Sequence, residues 1–380
     1  RRPPAMSGDI PEPDRIDGAP HPRQTVRLFG HAHAEATFLE AFNAGRLHHG
    51  WLISGPRGVG KATLAWRLAR FLLATPPQDG GLFAAPPPAT LDIPPDHPVN
   101  RHIDALSEPR LYLLRRAWDE KKERLPDVIS VDEVRGMKKF LSLSAADGGR
   151  RVVIVDAVDE MNPQAANALL KVLEEPPPQV TLLLVTHQPA RLLPTIRSRC
   201  RELRLTPLAP DDLASALAQA GGEVDPADRV ALAELAGGSV GEAFRLTMTD
   251  GLPLYARLVG LFQGLPGVDR RQALTLAEAG AARGAQATFE LIVTLIDLFL
   301  ARLARAGTIG APPPEAAPGE AALIARLAPD PWAARHWADL AQSLGLRARR
   351  GKAVNLDPAA LLMDMVLRID GTAQVLSRRT

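Results

Sequence analysis

Cysteine is almost absent: of 380 residues only Cys200 bears a thiol. That excludes an internal disulfide framework and any multi-cysteine zinc site, and it fits a reducing compartment. Charge of one sign is missing too, since 45 basic and 43 acidic residues leave a net +2. A globally basic nucleic-acid binder is excluded, although local patches remain. Aromatics make up 4% of the chain, too few to interleave with cations as a base-stacking surface. No apolar run approaches the roughly 18 residues of a membrane-spanning helix, and the first residues lack the apolar core of a signal peptide. The expectation is a soluble, cytoplasmic protein that does not engage a membrane.

What is present is length enough for two or three domains. Residues 1–24 are rich in proline and poor in large apolar side chains, a composition expected to stay disordered. Leu28 to Leu47 suits a helix, and Trp51 to Leu64 reads Trp-Leu-Ile-Ser-Gly-Pro-Arg-Gly-Val-Gly-Lys-Ala-Thr-Leu. A short apolar run, then Gly55, Gly58 and Gly60, then Lys61 opening an amphipathic helix, is the shape of a phosphate-binding loop. Glycine lets backbone N–H groups turn toward an anion, and the helix start and the lysine add positive charge. The pattern G-x-x-x-x-G-K-[ST] fails only at its last position, where Ala62 stands instead of a hydroxyl, with Thr63 one residue late.

Thr75 to Pro98 is a Pro/Ala/Gly-rich loop, and Leu111 to Arg124 reads as a charged helix. His48-His49 and the pair His97 and His102 are read as ordinary polar residues. Adjacent residues of an extended chain face opposite ways, and no convincing fourth ligand accompanies His97 and His102. Val131, Val134 and Met137 mark an amphipathic helix over Ile129 to Phe140. Arg151 to Asp156 is a buried parallel strand that delivers a carboxylate where a Walker-B aspartate meets Mg²⁺. Asn162 to Leu173 is a capped helix, and Val180 to Thr186 a second buried strand ending in a hydroxyl. Arg191 to Arg204 gathers five arginines around Ser198 and Cys200. Beyond Pro210 the periodicity is helical, broken near Gly264 to Gly267 and by the linker Gly310 to Gly319. A three-layer α/β domain over about 25–205 followed by helical domains is therefore expected.

Three segments narrow the reading: Val-Asp-Ala-Val-Asp-Glu-Met (155–161), Ala-Asn-Ala-Leu-Leu-Lys-Val-Leu-Glu-Glu-Pro-Pro (166–177) and Leu-Leu-Pro-Thr-Ile-Arg-Ser-Arg-Cys (192–200). With them the chain resembles the clamp-loader subunits of bacterial DNA polymerase III, a branch of the AAA+ ATPases. The resemblance implies an AAA+ domain at 25–205, a helical lid at 206–250 and a helical, oligomerising collar at 251–380. It places an insertion at 75–127 where many relatives hold a four-cysteine zinc module, so no zinc is expected. In the motor subunits a glutamate follows the Walker-B aspartate and the lid bears Gly-Ser-x-Arg; here Ala157 and Gly241 stand in those places. With Ala62, these departures remove a metal ligand, water orientation and charge neutralisation, each worth about 2 to 4 kcal/mol of transition-state stabilisation. Ser198-Arg199-Cys200 is intact, and the resemblance implies that Arg199 reaches ATP held by a neighbouring subunit.

The expectation is a non-hydrolysing subunit of a polymerase holoenzyme, binding ATP or ADP weakly at most. Gly55, Gly58, Gly60, Lys61, Thr63, Asp156 and Thr186 would line its own site. Its implied partners are sister gamma/tau and delta subunits, the sliding clamp, and primed DNA through the complex. One rival is an autonomous ATPase using Lys61, Asp156 and Thr186 with Asp159, Glu160 or Thr63 as substitutes. Another is a DNA-binding module built on the basic run Arg347 to Lys352.

Overall fold

The computed structural model describes residues 12–16, 18–76, 86–142 and 149–378. They begin with α1 (Ala32–Asn43), β1 (Gly50–Ser54), α2 (Lys61–Ala74), α3 (Pro98–Asp104), β2 (Leu111–Arg115), α4 (Val131–Ser142) and β3 (Arg151–Asp156). Next come α5 (Pro163–Glu174), β4 (Val180–Thr186), α6 (Pro194–Arg197), β5 (Arg201–Arg204) and α7 (Pro210–Gln219). The remainder is helical: α8 (Arg229–Ala236), α9 (Val240–Met248), α10 (Gly251–Phe262), α11 (Arg270–Ala281), α12 (Gln286–Ile309), α13 (Glu320–Leu327), α14 (Pro331–Ala353) and α15 (Pro358–Ser377).

The five strands pair in parallel in the order β2-β3-β4-β1-β5. Every residue of β1 and β4 is buried, as a central strand covered on both faces requires. Neighbouring side chains point to opposite layers. Ile53, Ile154 and Leu183 meet Phe38 of α1 and Leu64, Leu68 and Phe71 of α2. Leu52, Val153 and Leu182 meet Met137 of α4, Leu169 of α5 and Ile196 of α6. Three layers result, with β1, β3 and β4 at the centre and their C-terminal ends along one edge.

Several sequence expectations change. Leu111 to Arg115 is the edge strand β2, paired with β3 from Leu111↔Val152 to Arg115↔Asp156, and not the start of a charged helix. Leu-Tyr-Leu-Leu has strand propensity, and tertiary pairing decides the outcome. The region 75–127 is thus more than an insertion, because it supplies α3 and a strand of the sheet; its residues 77–85 lie outside those described. The proline-rich segment is not a free tail over its described part. His21 is 1% exposed and closes a capping box on a short helix at Pro22–Gln24, while residues 1–11 and 17 lie outside the described ones. His48 and His49 do not diverge: their rings stack with centroids 4.3 Å apart, because the chain there bends before β1 begins.

The described residues form two compact units, one reaching Gly221 and including Gly238–Gly241, the other comprising Gly222–Gly237 and Glu242 onward. The expected lid at 206–250 is therefore shared between them. In the second unit Tyr255, Phe262, Phe289, Phe299 and Trp337 are fully buried. Gly345 of α14 lies against the Asp297 carboxylate of α12, where a side chain would collide. Among the described residues no helix is long and apolar enough to cross a membrane.

Candidate functional site

The loop between β1 and α2 takes its course from its glycines. Gly55, Gly58 and Gly60 have φ of 147°, 74° and 101°, a region that side chains disfavour. At Gly58 a Cβ would also strike Ser239. Gly60 ends the loop and Lys61 is the first residue of α2. The register Ser54↔Thr186 sets the ends of β1 and β4 side by side, and Asp156↔Val185 puts the end of β3 next to them. Gly55, Gly58, Gly60, Lys61, Asp156 and Thr186 therefore share one edge of the sheet, where ligands of open α/β folds bind. Thr63 stays half-buried in the first turn of α2.

Lys61 and Asp156 are buried, at 3% and 9% exposure. Lys61 donates to the carbonyl of Pro56 in its own loop. Burial lowers its pKa to about 8 against the pull of Asp156 and Asp159. Burial, joined by the charges of Asp14 and Glu160, raises Asp156 to about 7. Near neutrality a large share of Asp156 is therefore protonated. Thr186 is fully buried, and its hydroxyl accepts from the Gln188 N–H at 3.3 Å. The neighbouring His187 donates its N–H to Asp159 at 3.1 Å. Burial and the Lys61 charge lower the His187 ring to about 4, so it is neutral.

The two residues expected from the sequence to stand in place of hydrolytic groups are small. Ala157 is buried at 2% exposure. Gly241 is the second residue of α9, with Ile16 packed where its side chain would project, and the Val240 N–H donates to Gly58 O at 2.8 Å. Glu160 is held by Arg116 at 2.8 Å and Arg57 at 3.2 Å, and Asp159 by the His187 N–H; both proposed substitutes for the water-orienting glutamate are engaged.

Residues that sequence reading passed over stand beside this edge. Arg115, at the end of β2, binds Asp14 and, at 2.8 Å, Glu12. His21 lies 3.0 Å from Asp14, and Arg23 2.6 Å from Glu12. Burial opposes ionisation of Asp14, but the His21 hydrogen bond and the charges of His21 and Arg115 outweigh it and keep its pKa below the usual value. The one local signal was the His21-Pro22 cap with Gln24; the ion pairs join residues far apart in sequence.

Arg199 follows the single turn of α6, its guanidinium donating to Thr195 O at 3.0 Å and pairing with Glu174 at 2.9 Å. It is 36% exposed. Ser198 caps α6 and its hydroxyl donates to Thr195 O at 3.2 Å. The Cys200 thiol is pushed up to about 12 by burial and is inert as a nucleophile. His97 caps α3 through Val99 N–H, and His102 lies 3.7 Å from Glu108. In the basic run Arg347 pairs with Asp364, Arg349 with Asp297 and Glu290, and Lys352 lies over Phe289. Two of the run's four cations, Arg347 and Arg349, are thus paired with carboxylates within the chain, which weakens the case for a phosphate-binding patch.

A parallel sheet with a glycine-lysine loop after one strand and a buried acid after another defines a phosphate-loop α/β protein. Residues 30–209 match the family model described as DNA polymerase III, delta subunit. The chain is 40% identical to DNA polymerase III subunit delta' of Pseudomonas aeruginosa over 152 residues, covering 40% of this chain and 41% of the relative. It is 34% identical to the delta' subunit of Escherichia coli over 220 residues, 56% of this chain and 58% of the relative. It is 29% identical to the tau subunit of Escherichia coli over 290 residues, 74% of this chain and 41% of that protein. The matches thus span about half of each relative's length or somewhat more or less, and under two thirds in every case.

Proposed function

We propose that the chain is a delta-prime-type subunit of a DNA polymerase III clamp loader, helping to load the sliding clamp onto primed DNA. Its own nucleotide site is degenerate, and Arg199 serves as an arginine finger for ATP held by a neighbouring gamma/tau-type subunit. The helical residues form the lid and the collar through which it joins its sisters, delta among them. The observation that carries this reading is the half-exposed Arg199, anchored by Thr195 and Glu174 on a chain whose own site has Ala62, Ala157 and Gly241. Guanidinium suits the role because it is always charged and its fork matches phosphate oxygens.

The test is Arg199→Ala in a loader reconstituted with its sister subunits. Turnover at the site it serves is expected to fall about 10³-fold, as for arginine fingers supplied in trans. Unchanged DNA-stimulated ATP hydrolysis overturns the trans role. The rival, an autonomous gamma/tau-type ATPase, draws support from the meeting of Lys61, Asp156 and Thr186 at one strand edge. Phosphate release by the purified chain that disappears in Lys61→Ala would favour it.

A further inference from the structure

We propose that residues 12–16 form a strap, acting within the same chain, that closes the phosphate loop and masks a nucleoside di- or triphosphate affinity the loop still possesses. The degenerate residues bear on hydrolysis, whereas the strap bears on binding. The proposal therefore stands whether or not the chain belongs to a clamp loader.

The strap is fixed at two points between which a metal-bound polyphosphate would lie. At one end Asp14 and Glu12 are gripped by Arg115, which stands in register with Asp156. His21 and Arg23 hold the same two acids from the other side. At the other end the Ile16 side chain reaches within 2.6 Å of where a Cβ of Gly241 would be, and Gly241 in turn lies against Gly58 of the loop. Val240 N–H bonds Gly58 O and completes the closure.

Two features oppose an incoming anion. The strap's acids neutralise Arg115, a cation at the strand edge that is otherwise suited to phosphate. Lys61 is turned to Pro56 O within its own loop. None of this disturbs the positive φ angles of Gly55, Gly58 and Gly60, so the cradle is preserved beneath the strap. Its acids are held by ion pairs, and Ile16 is 43% exposed, so release requires no unfolding of the sheet.

The experiment is a titration of the full chain with a fluorescent ADP analogue and Mg²⁺ at fixed salt, comparing wild type with the double variant Asp14→Ala/Ile16→Ala. The double variant is expected to bind at least tenfold more tightly, and adding Lys61→Ala should abolish the gain. Equal affinity in wild type and variant, whether both bind or neither does, overturns the proposal. So does a gain that survives Lys61→Ala. If the double variant fails to fold, Ile16→Ser alone replaces it, since that half-exposed side chain can be changed without disturbing the buried ion pairs; an unaltered affinity there overturns the proposal equally. Failure here leaves the Arg199 result untouched, so the two readings are judged separately.

Discussion

Two buried ionic groups, one in each compact unit, show opposite ways of keeping charge out of water. In the helical unit Arg302 makes a two-point pair with Glu320 at 2.7 and 3.1 Å, a third contact with Glu234 at 3.0 Å, and a bond to Pro314 O at 2.6 Å. Glu320, fully buried, also accepts from the Tyr255 hydroxyl and from Ala316 N–H. Burial and the neighbouring Glu320 hold the Tyr255 phenol far above its usual range, so it remains a donor. In the α/β unit Lys61 and Asp156 are buried with far fewer partners, and their pKa values converge, at about 8 and about 7. The first group is saturated and ties α12, α13 and the linker before α13 together. The second is left with its charges poorly compensated, and such perturbed pairs cluster at functional sites.

The sharpest way to break this contrast is Glu320→Ala. Arg302 would then be buried beside a cavity with its main partner gone, which costs about 3 to 5 kcal/mol. The measurement is denaturant or thermal unfolding of the full chain. A loss under about 1 kcal/mol, the range of exposed pairs, would mean that the network is far better solvated than its burial implies.

The α/β group predicts the reverse sign. Asp156 has its pKa raised by folding from 3.8 to about 7. Its contribution to stability is therefore fully present below about pH 4 and is lost as pH rises through about 7. At 1.36 kcal/mol per unit the ceiling is about 4 kcal/mol. Asp156→Asn removes the ionisation but also takes a partner from Lys61, so a net gain of about 2 kcal/mol above pH 7.5 is expected, vanishing near pH 4. Unfolding curves of both proteins across that range decide it. A variant less stable than wild type at pH 8 would show that the carboxylate is held by its surroundings, not strained by them.

Sequence reading was good where the determinants are local. β3 and β4 were legible to the residue, because central strands buried on both faces become unbroken apolar runs. The start of α5 was legible from Asn162, whose side chain accepts from Ala165 N–H, and from Pro163 in the first turn. The loop residues and Asp156 were found because strand, turn and helix lie next to each other in the chain. β2 was missed because an edge strand shows no clean alternation and its partner β3 begins more than thirty residues later. The strap was missed for a related reason. Composition counts apolar residues, but residues 12–16 and 18–24 are held by charged and polar contacts, and Asp14 meets Arg115 across 101 positions. Non-local pairing of this kind leaves no periodic trace.

The smallest expected effect concerns the contact nearest to the proposed function. Arg199 and Glu174 are 36% and 47% exposed, so their 2.9 Å ion pair is screened by water and should add less than about 1 kcal/mol to stability. Glu174→Ala should therefore leave the melting temperature almost unchanged, in contrast to Glu320→Ala. The pair's physical effect is on orientation: Glu174 and Thr195 O hold two corners of the guanidinium and leave its remaining N–H groups directed elsewhere. An arginine held at two points loses less freedom when it meets a phosphate than one moving in solvent. In a reconstituted loader Glu174→Ala should thus lower turnover by a modest factor, about threefold to tenfold, corresponding to roughly one restrained side chain. In an Arg199→Ala background the same change should have no further effect. An additive loss in the double variant would mean that Glu174 acts through something other than Arg199.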